Sequence, residues 1–328
     1  MDHTTERVTL ARLPSGIEIE TTVHTYDGES DGPTVYVQAA QHGREINGTE
    51  TLRRVHDRLM EPDTDLSGQI VAVPVADPLT FDRVSYTTPE ELDSVNPNMN
   101  RVWPGDADGS LHERMAATLW EYVSDADAVV DLHTGSADML THVVFMEGDE
   151  ACRALAEAFG TDLLLSEEAG DDADTEWAER DFGGKLRVAA TREGIPTITP
   201  ELAHNKQLVE TAIEAGVEGT LNAFRHLGML PGEPEQNPVR SSGDPLLARN
   251  HLGRVTADDS GLFRAEFDRE VGERVEAGER IGTLYDPTTY ERLQAVETDR
   301  AGVLYSLTRE ATVTTGETLL SVALLREE

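Results

Sequence analysis

The sequence predicts an α/β fold, a mainly parallel sheet with helices on both faces, joined to a small C-terminal all-β module that is barrel-like. Two observations predict it. Between residues 34 and 227, apolar β-branched runs alternate with stretches of helical period, the pattern of strands linked by crossover helices. Past Pro231 the texture changes to short strands punctuated by glycine, from Gly253 to Gly316, with no long helix.

Taken in order, Val8 to Leu13 and Ile17 to Val23 alternate apolar and polar residues around Pro14-Ser15-Gly16, which predicts an edge hairpin. Thr34 to Ala40 predicts a buried strand. A helix follows from Ile46, with Leu52, Val55 and Leu59 at helical spacing. Gln69 to Val75 is the next expected strand. Residues 76–109 carry Pro, Asn, Asp and Gly in loop proportions, and a loop that long in a compact domain is functional or disordered. Helices are expected over Leu111 to Val123 and Ala151 to Phe159, and strands over Asp127 to Leu132 and Thr141 to Met146. The acidic run from Ser166 to Asp181 reads as an exposed loop or lid. A helix through Leu186 and Ala190, a strand from Ile195 to Glu201 and a long helix from Leu208 to Leu227 complete the alternation. Pro231 to Pro238 reads as a linker, so the expected division is an α/β domain over 1–230 and a β module over 239–328.

The 328 residues hold 63 acidic and 27 basic side chains, a net charge of −36, and only two of the basic ones are lysine, Lys185 and Lys206. Such a surface repels phosphate, so nucleic acid and anionic membrane are unsuitable partners. Abundant carboxylate with almost no lysine looks like adaptation to the salt-rich cytoplasm of a halophile, where salt screens self-repulsion. Cys152 is the single cysteine, so no intrachain disulfide can form. No basic segment followed by an apolar run opens the chain, and no apolar stretch reaches the roughly 18 residues of a membrane span. A cytoplasmic protein is the expectation.

His42 and Glu45 follow the Thr34 to Ala40 strand, with Gly43 between them. An imidazole and a carboxylate three residues apart at a strand's C-terminal end can converge on one ion, where open α/β sheets place their ligands. The bland alternative is that His42 caps the turn and Glu45 places a charge at the helix N-terminus. His133 ends another apolar strand and should emerge at the same sheet edge. Two histidines and one carboxylate make a catalytic zinc set, with the fourth position left for water. Glu201 ends a third strand, where a carboxylate could move protons for such a site. Arg101, beside Asn100 in the long loop, offers a planar fork for a substrate carboxylate, and Arg83 in the same loop could help. Each arginine could equally be a surface ion-pair member.

These residues occur in four short motifs: His42-Gly43-Arg44-Glu45, Asn100-Arg101, Asp131-Leu132-His133-Thr134-Gly135 and Glu201-Leu202. Their order resembles that of the succinylglutamate desuccinylase/aspartoacylase family, the deacylase branch of the zinc carboxypeptidase-like fold. Trp103-Pro104-Gly105 and Gly194-Ile195-Pro196 fit it too. The resemblance covers roughly residues 30 to 230 and implies one zinc per chain on His42, Glu45 and His133. It implies Glu201 as general base and then acid, Asn100 and Arg101 as holders of the substrate carboxylate, and Arg44 as a group that polarises the scissile carbonyl or supports the turn. The implied activity is hydrolysis of an amide in a small, carboxylate-bearing N-acyl compound. Where the family usually has an acidic residue two before the Asn-Arg pair, this chain has Asn98, an amide that can hold a histidine tautomer but raises its basicity less. The β module resembles biotinyl/lipoyl-type barrels around Val271-Gly272-Glu273 and Ala301-Gly302-Val303, yet residues 207–328 lack the lysine a prosthetic group needs. It could shape the active-site rim, with Tyr285 and Tyr290 the residues placed to reach in, or form a homo-oligomer contact. Two other readings stay open: a zinc carboxypeptidase acting on peptides, and a binding protein with a degenerate site.

Overall fold

The structure is a computed structural model that describes residues 1–135, 138–168, 177, 181–241, 243–249 and 253–326. The strands of the first part are β1 (Asp2–Arg12), β2 (Glu18–Asp27), β3 (Ser30–Ala39), β4 (Ser67–Val73), β5 (Ala128–Gly135), β6 (Asp138–Met139), β7 (His142–Met146), β8 (Leu163–Glu167) and β9 (Thr197–His204). The second part adds β10 (Leu246–Arg249), β11 (Arg254–Thr256), β12 (Gly261–Ala265), β13 (Arg274–Val275), β14 (Arg280–Tyr285), β15 (Arg292–Glu297), β16 (Gly302–Leu307), β17 (Thr312–Val313) and β18 (Thr318–Leu325). Helices are α1 (Asn47–Leu59), α2 (Pro78–Phe81), α3 (Leu111–Ser124), α4 (Glu150–Phe159), α5 (Leu186–Arg192) and α6 (Glu210–His226).

The main sheet runs β1-β2-β4-β3-β5-β9-β7-β8-β10-β18-β16-β13. Its centre is parallel, β4 to β3 to β5 to β9. The antiparallel pairing of β7 with β9 interrupts the parallel run, and β8 then resumes it beside β7. Period-two alternation sorts β3 between two cores: Val35, Val37 and Ala39 join one cluster and Tyr36 the other. The first cluster is covered by α1, α4 and α6, the second by α3, α5 and the β1–β2 hairpin. Leu52, Val55 and Leu59 carry the buried stripe of α1, each side chain stabilising the fold by about 1.5–3 kcal/mol. The chain leaves β3 toward β4 on one side and later returns to β5 on the other. The crevice between the C-terminal ends of β3 and β5 is therefore a topological switch point.

One local finding differs from the sequence expectations, and two others show how expected loops are held. Ser166 and Glu167 are not the start of an exposed loop; they close the fully buried strand β8, because Leu163–Leu165 supply the apolar run that carries them inside. The remainder of the expected lid, 169–176 and 178–180, lies outside the described residues. The 76–109 segment is ordered by its own polar groups: Asp77 caps α2, and buried His112 bridges Asp77 Oδ2 at 3.2 Å and Asp93 Oδ2 at 3.4 Å. The linker is tied down as well, with Asn237 Nδ2 donating to the carbonyls of Phe159 and Ala215.

The C-terminal part is antiparallel apart from β10, which lies parallel to β8 and so continues the main sheet. A second sheet, β15-β14-β12-β17, closes over Phe263, Ile281, Leu284, Leu304 and Leu319. Val144, Leu165, Ala248, Tyr305 and Ala323 form a shared seam between the two parts. No helix among the described residues is long and apolar enough to cross a membrane.

Candidate active site

The turn after β3 is built for close packing. Ala40 turns the chain with φ of +48°, a left-handed conformation that a side chain adopts only under tertiary constraint. A Cβ on Gly43 would lie 1.9 Å from the Thr80 carbonyl carbon, so only glycine lets α2 press against the turn. Thr80 Oγ1 accepts the Gly43 N–H, and Glu45 N–H returns to the His42 carbonyl at 3.0 Å. These bonds aim His42 and Glu45 into the switch-point crevice, and β5 brings His133 there from its own C-terminal end.

The donor atoms converge. His42 Nδ1 lies 3.0 Å from Glu45 Oε1, and His133 Nδ1 lies 2.9 Å from Glu45 Oε2. The opposite ring nitrogens are engaged elsewhere. His42 Nε2 faces Asn98 Oδ1 at 3.1 Å, an oxygen that already accepts the Asn100 N–H, and His133 Nε2 faces Asp131 Oδ2 at 3.0 Å. Each Nε2 therefore donates, and in the neutral imidazole each Nδ1 presents a lone pair to a carboxylate oxygen. A cation between each pair, either a proton or a shared metal ion, satisfies both partners. The three side chains are buried, with donor atoms within 4.8 Å of one another. Burial alone would raise the Glu45 carboxyl, but His42 and His133 outweigh it and hold Glu45 well below the carboxylate range. Burial likewise opposes charge on His133, and Asp131 and Glu45 together raise it well above the ordinary histidine value. The same negative field would favour a divalent ion.

Glu201 pairs in register with His133 across β5 and β9. Its carboxyl borders the cavity while protein surrounds it closely. Burial first, with Glu45 adding to it against His133, Arg187 and Lys185, pushes it up to about 7. The cavity, about 330 Å³, is lined by these acids and by four cations: Arg44, Arg101, Lys185 and Arg187. In a chain with a net charge of −36 that concentration is selective.

Asn100 is buried; its Oδ1 accepts the Leu186 N–H at 3.0 Å, and its Nδ2 lies 3.5 Å from His133 Nε2. Arg101 stacks over Phe182 with its guanidinium carbon 5.0 Å from the ring centroid. Its backbone is fixed by Gly184, where a Cβ would lie 1.9 Å from the Arg101 carbonyl oxygen. Arg44 lies 4.8 Å over Tyr86, and its Nε is buried with no hydrogen-bond partner among the described residues. Arg83 is elsewhere: it is exposed, donates to the Leu79 carbonyl and does not line the cavity. Tyr285 and Tyr290 do not line it either, and Tyr290 is 84% exposed.

Four contributors went unassigned in the sequence. Asp131 stands two residues before His133 on the same face of β5, the alternation that makes it a partner. Lys185 and Arg187 are buried against Glu167, Lys185 Nζ at 2.8 Å. The rarity of lysine was the available signal for Lys185. Tyr86, tilted 32° against His42 with ring centroids 4.0 Å apart, carries no sequence signal.

The catalytic-domain model of the succinylglutamate desuccinylase/aspartoacylase family matches residues 31–227. An N-alpha-acetyl-L-2,4-diaminobutyric acid deacetylase from Halomonas elongata is 28% identical over 309 residues, covering 89% of this chain and 82% of that protein. Among solved structures, a succinylglutamate desuccinylase/aspartoacylase from Rhodobacter sphaeroides superposes with a TM-score of 0.82 at 23% identity, over 99% of this chain and 96% of that one. The product-bound ectoine utilization protein EutE (DoeB) from Ruegeria pomeroyi gives 0.82 at 21%, over 98% and 95%. These structures share the fold. The family match spans more than half the chain and contains His42, Glu45, His133 and Glu201, so the chain belongs to the succinylglutamate desuccinylase/aspartoacylase family.

Proposed function

We propose that the chain is a zinc-dependent deacylase that hydrolyses the amide bond of a small N-acyl amino acid. The carrying observation is the pair of Nδ1 atoms turned onto the Glu45 carboxylate, with Glu201 beside them. Two imidazoles and a carboxylate with both Nε2 atoms anchored fit a zinc ion better than a softer thiolate-seeking metal. Bound there by His42, Glu45 and His133, zinc supplies Lewis-acid polarisation of a carbonyl and acidifies water.

The chain's own groups supply the rest. Glu201, with a carboxyl near neutrality, accepts a proton from the attacking water and returns it to the departing amine. Arg44 stabilises negative charge on the carbonyl oxygen. Arg101 and Asn100 hold the substrate carboxylate, and Lys185 and Arg187, fixed by Glu167, keep that end of the cavity positive. Burial lowers the Arg187 guanidinium to about 10, which leaves it charged at neutral pH. Residues 1–230 form the catalytic unit in this reading. The module 239–328 backs the site through β16, which pairs with β6 just after β5. A cavity of about 330 Å³ suits one amino acid with a short acyl group. The Halomonas relative places acetyl first among the acyl groups to test.

The test is hydrolysis of N-acetyl, N-succinyl and N-formyl amino acids, Nα-acetyl-2,4-diaminobutyrate among them, and of short peptides, by metal-stripped and zinc-restored protein. Zinc should restore activity, and a small N-acyl amino acid should exceed every peptide. Activity without metal, or a preference for peptides, would contradict the proposal.

A further inference from the structure

We propose that His3, His24 and His56 form a second transition-metal site, for Zn²⁺ or Cu²⁺, at the outer edge of the sheet. Three separate elements bring the rings together. In the β1–β2 register His3 stands opposite Tyr26, and His24, two residues before Tyr26, shares its face. His56 reaches the same place from α1. One ligand atom from each ring lies within 4.8 Å of the others.

The spacing suits a shared proton or a shared ion. His3 Nε2 and His24 Nδ1 are 3.1 Å apart. A tetrahedral ion with metal–nitrogen bonds of about 2.0–2.1 Å holds its ligand nitrogens roughly 3.3 Å from one another. Tyr26 Oη lies 2.8 Å from His56 Nδ1 and can accept its N–H, which fixes the tautomer and leaves Nε2 with a lone pair for an ion. Tyr26 also stacks on His3 with centroids 4.5 Å apart, which limits ring motion. All three histidines are half-buried, so an ion can enter from solvent. Glu50, near His56, is held by Arg53 and Arg54 and is not a further ligand, so water completes the coordination. Such an ion would join β1, β2 and α1, acting as a staple with no role in the amide chemistry.

The experiment counts metal in the full-length protein after zinc loading and removal of loosely bound ion, and compares wild type with His24→Ala and His3→Gln. Wild type should hold one zinc equivalent more than either variant, and deacylase activity should be the same in all three. Tyr26→Phe should keep the site but weaken its affinity by about 10–100-fold. Two equivalents of Cu²⁺ added to metal-stripped wild type should give electron paramagnetic resonance signals from two nitrogen-coupled sites, one of which His3→Gln removes. If His24→Ala fails to fold, His3→Gln at the end of β1 decides the count. Equal zinc content in wild type and His3→Gln, or an unchanged copper spectrum, would show that the rings only pack and would overturn the site. Because the count is a difference, it stands apart from whether His42, Glu45 and His133 bind zinc.

Discussion

Two imidazole clusters lie on one sheet, and they differ in what stands behind the rings. At the switch point, His42 and His133 are buried, each Nε2 is tied to a fixed acceptor, and the Glu45 carboxylate sits between them. At the edge, His3, His24 and His56 are half-buried, and among the described residues no carboxylate is bonded to their rings and His56 alone has a polar ring partner outside the cluster, Tyr26. Counting imidazoles would rank the edge cluster first. Partners reverse the ranking: oriented rings, a central carboxylate and the adjacent Glu201 carboxyl are what the proposed chemistry needs, whereas three rings without them suit a staple.

The largest effect should come from removing the proposed proton carrier, Glu201, which has no counterpart proposed at the edge cluster. Glu201→Gln is expected to keep its metal and its KM while turnover falls about 10²–10⁴-fold. Steady-state kinetics with metal analysis check this. A variant that lost zinc would make Glu201 a ligand and dissolve the contrast.

Asp131→Ala removes the carboxylate behind His133. Zinc affinity or activity should drop about 10–100-fold, read by competition with a chelator. Asn98→Asp sharpens the same point in the other direction, since an anion behind His42 should tighten zinc. If neither change alters affinity, the groups behind the rings are not what separates the clusters.

Arg101→Ala leaves both clusters intact and should act on substrate alone. Loss of a charged hydrogen bond of about 1.5–3 kcal/mol should raise KM for carboxylate-bearing substrates roughly ten- to a hundredfold, with zinc content unchanged. An equal effect on substrates lacking the carboxylate would rule out this role.

Much of this contrast was legible in the sequence where local pattern dictates geometry. A buried strand followed by His-Gly-Arg-Glu points both candidate ligands out of one strand end, and a second apolar run ending at His133 points to the same edge. The rest depended on distance. The β5–β9 register that sets Glu201 beside His133 is a tertiary fact, as is the antiparallel turn of β7. Lys185 and Arg187 sit where helical period reads as packing, and their partner Glu167 was hidden in an acidic run whose first residues close a buried strand. The edge cluster was invisible because His3, His24 and His56 share no motif and meet only through hairpin register and helix packing.

The smallest effect concerns the loop that holds Asn98. His112 is fully buried; burial opposes its charge, but Asp77, the Asn96 carbonyl and Asp93 raise it above the ordinary value near 6.5. A histidine raised on folding contributes stability fully below its unfolded pKa, and that contribution is lost as pH rises through the folded value. Denaturation midpoints should therefore fall as pH rises above about 6.5, and His112→Gln should flatten that dependence. Parallel pH profiles for the two proteins would refute the anchor.

The most direct measurement is a crystallographic anomalous difference map at the zinc edge from zinc-loaded protein. The expected result is a strong peak about 2.0–2.3 Å from His42 Nδ1, His133 Nδ1 and a Glu45 oxygen, with a second peak at His3, His24 and His56. No peak between the two Nδ1 atoms, or a fully occupied ion at the edge cluster alone, would contradict the reading of this site as a zinc deacylase centre.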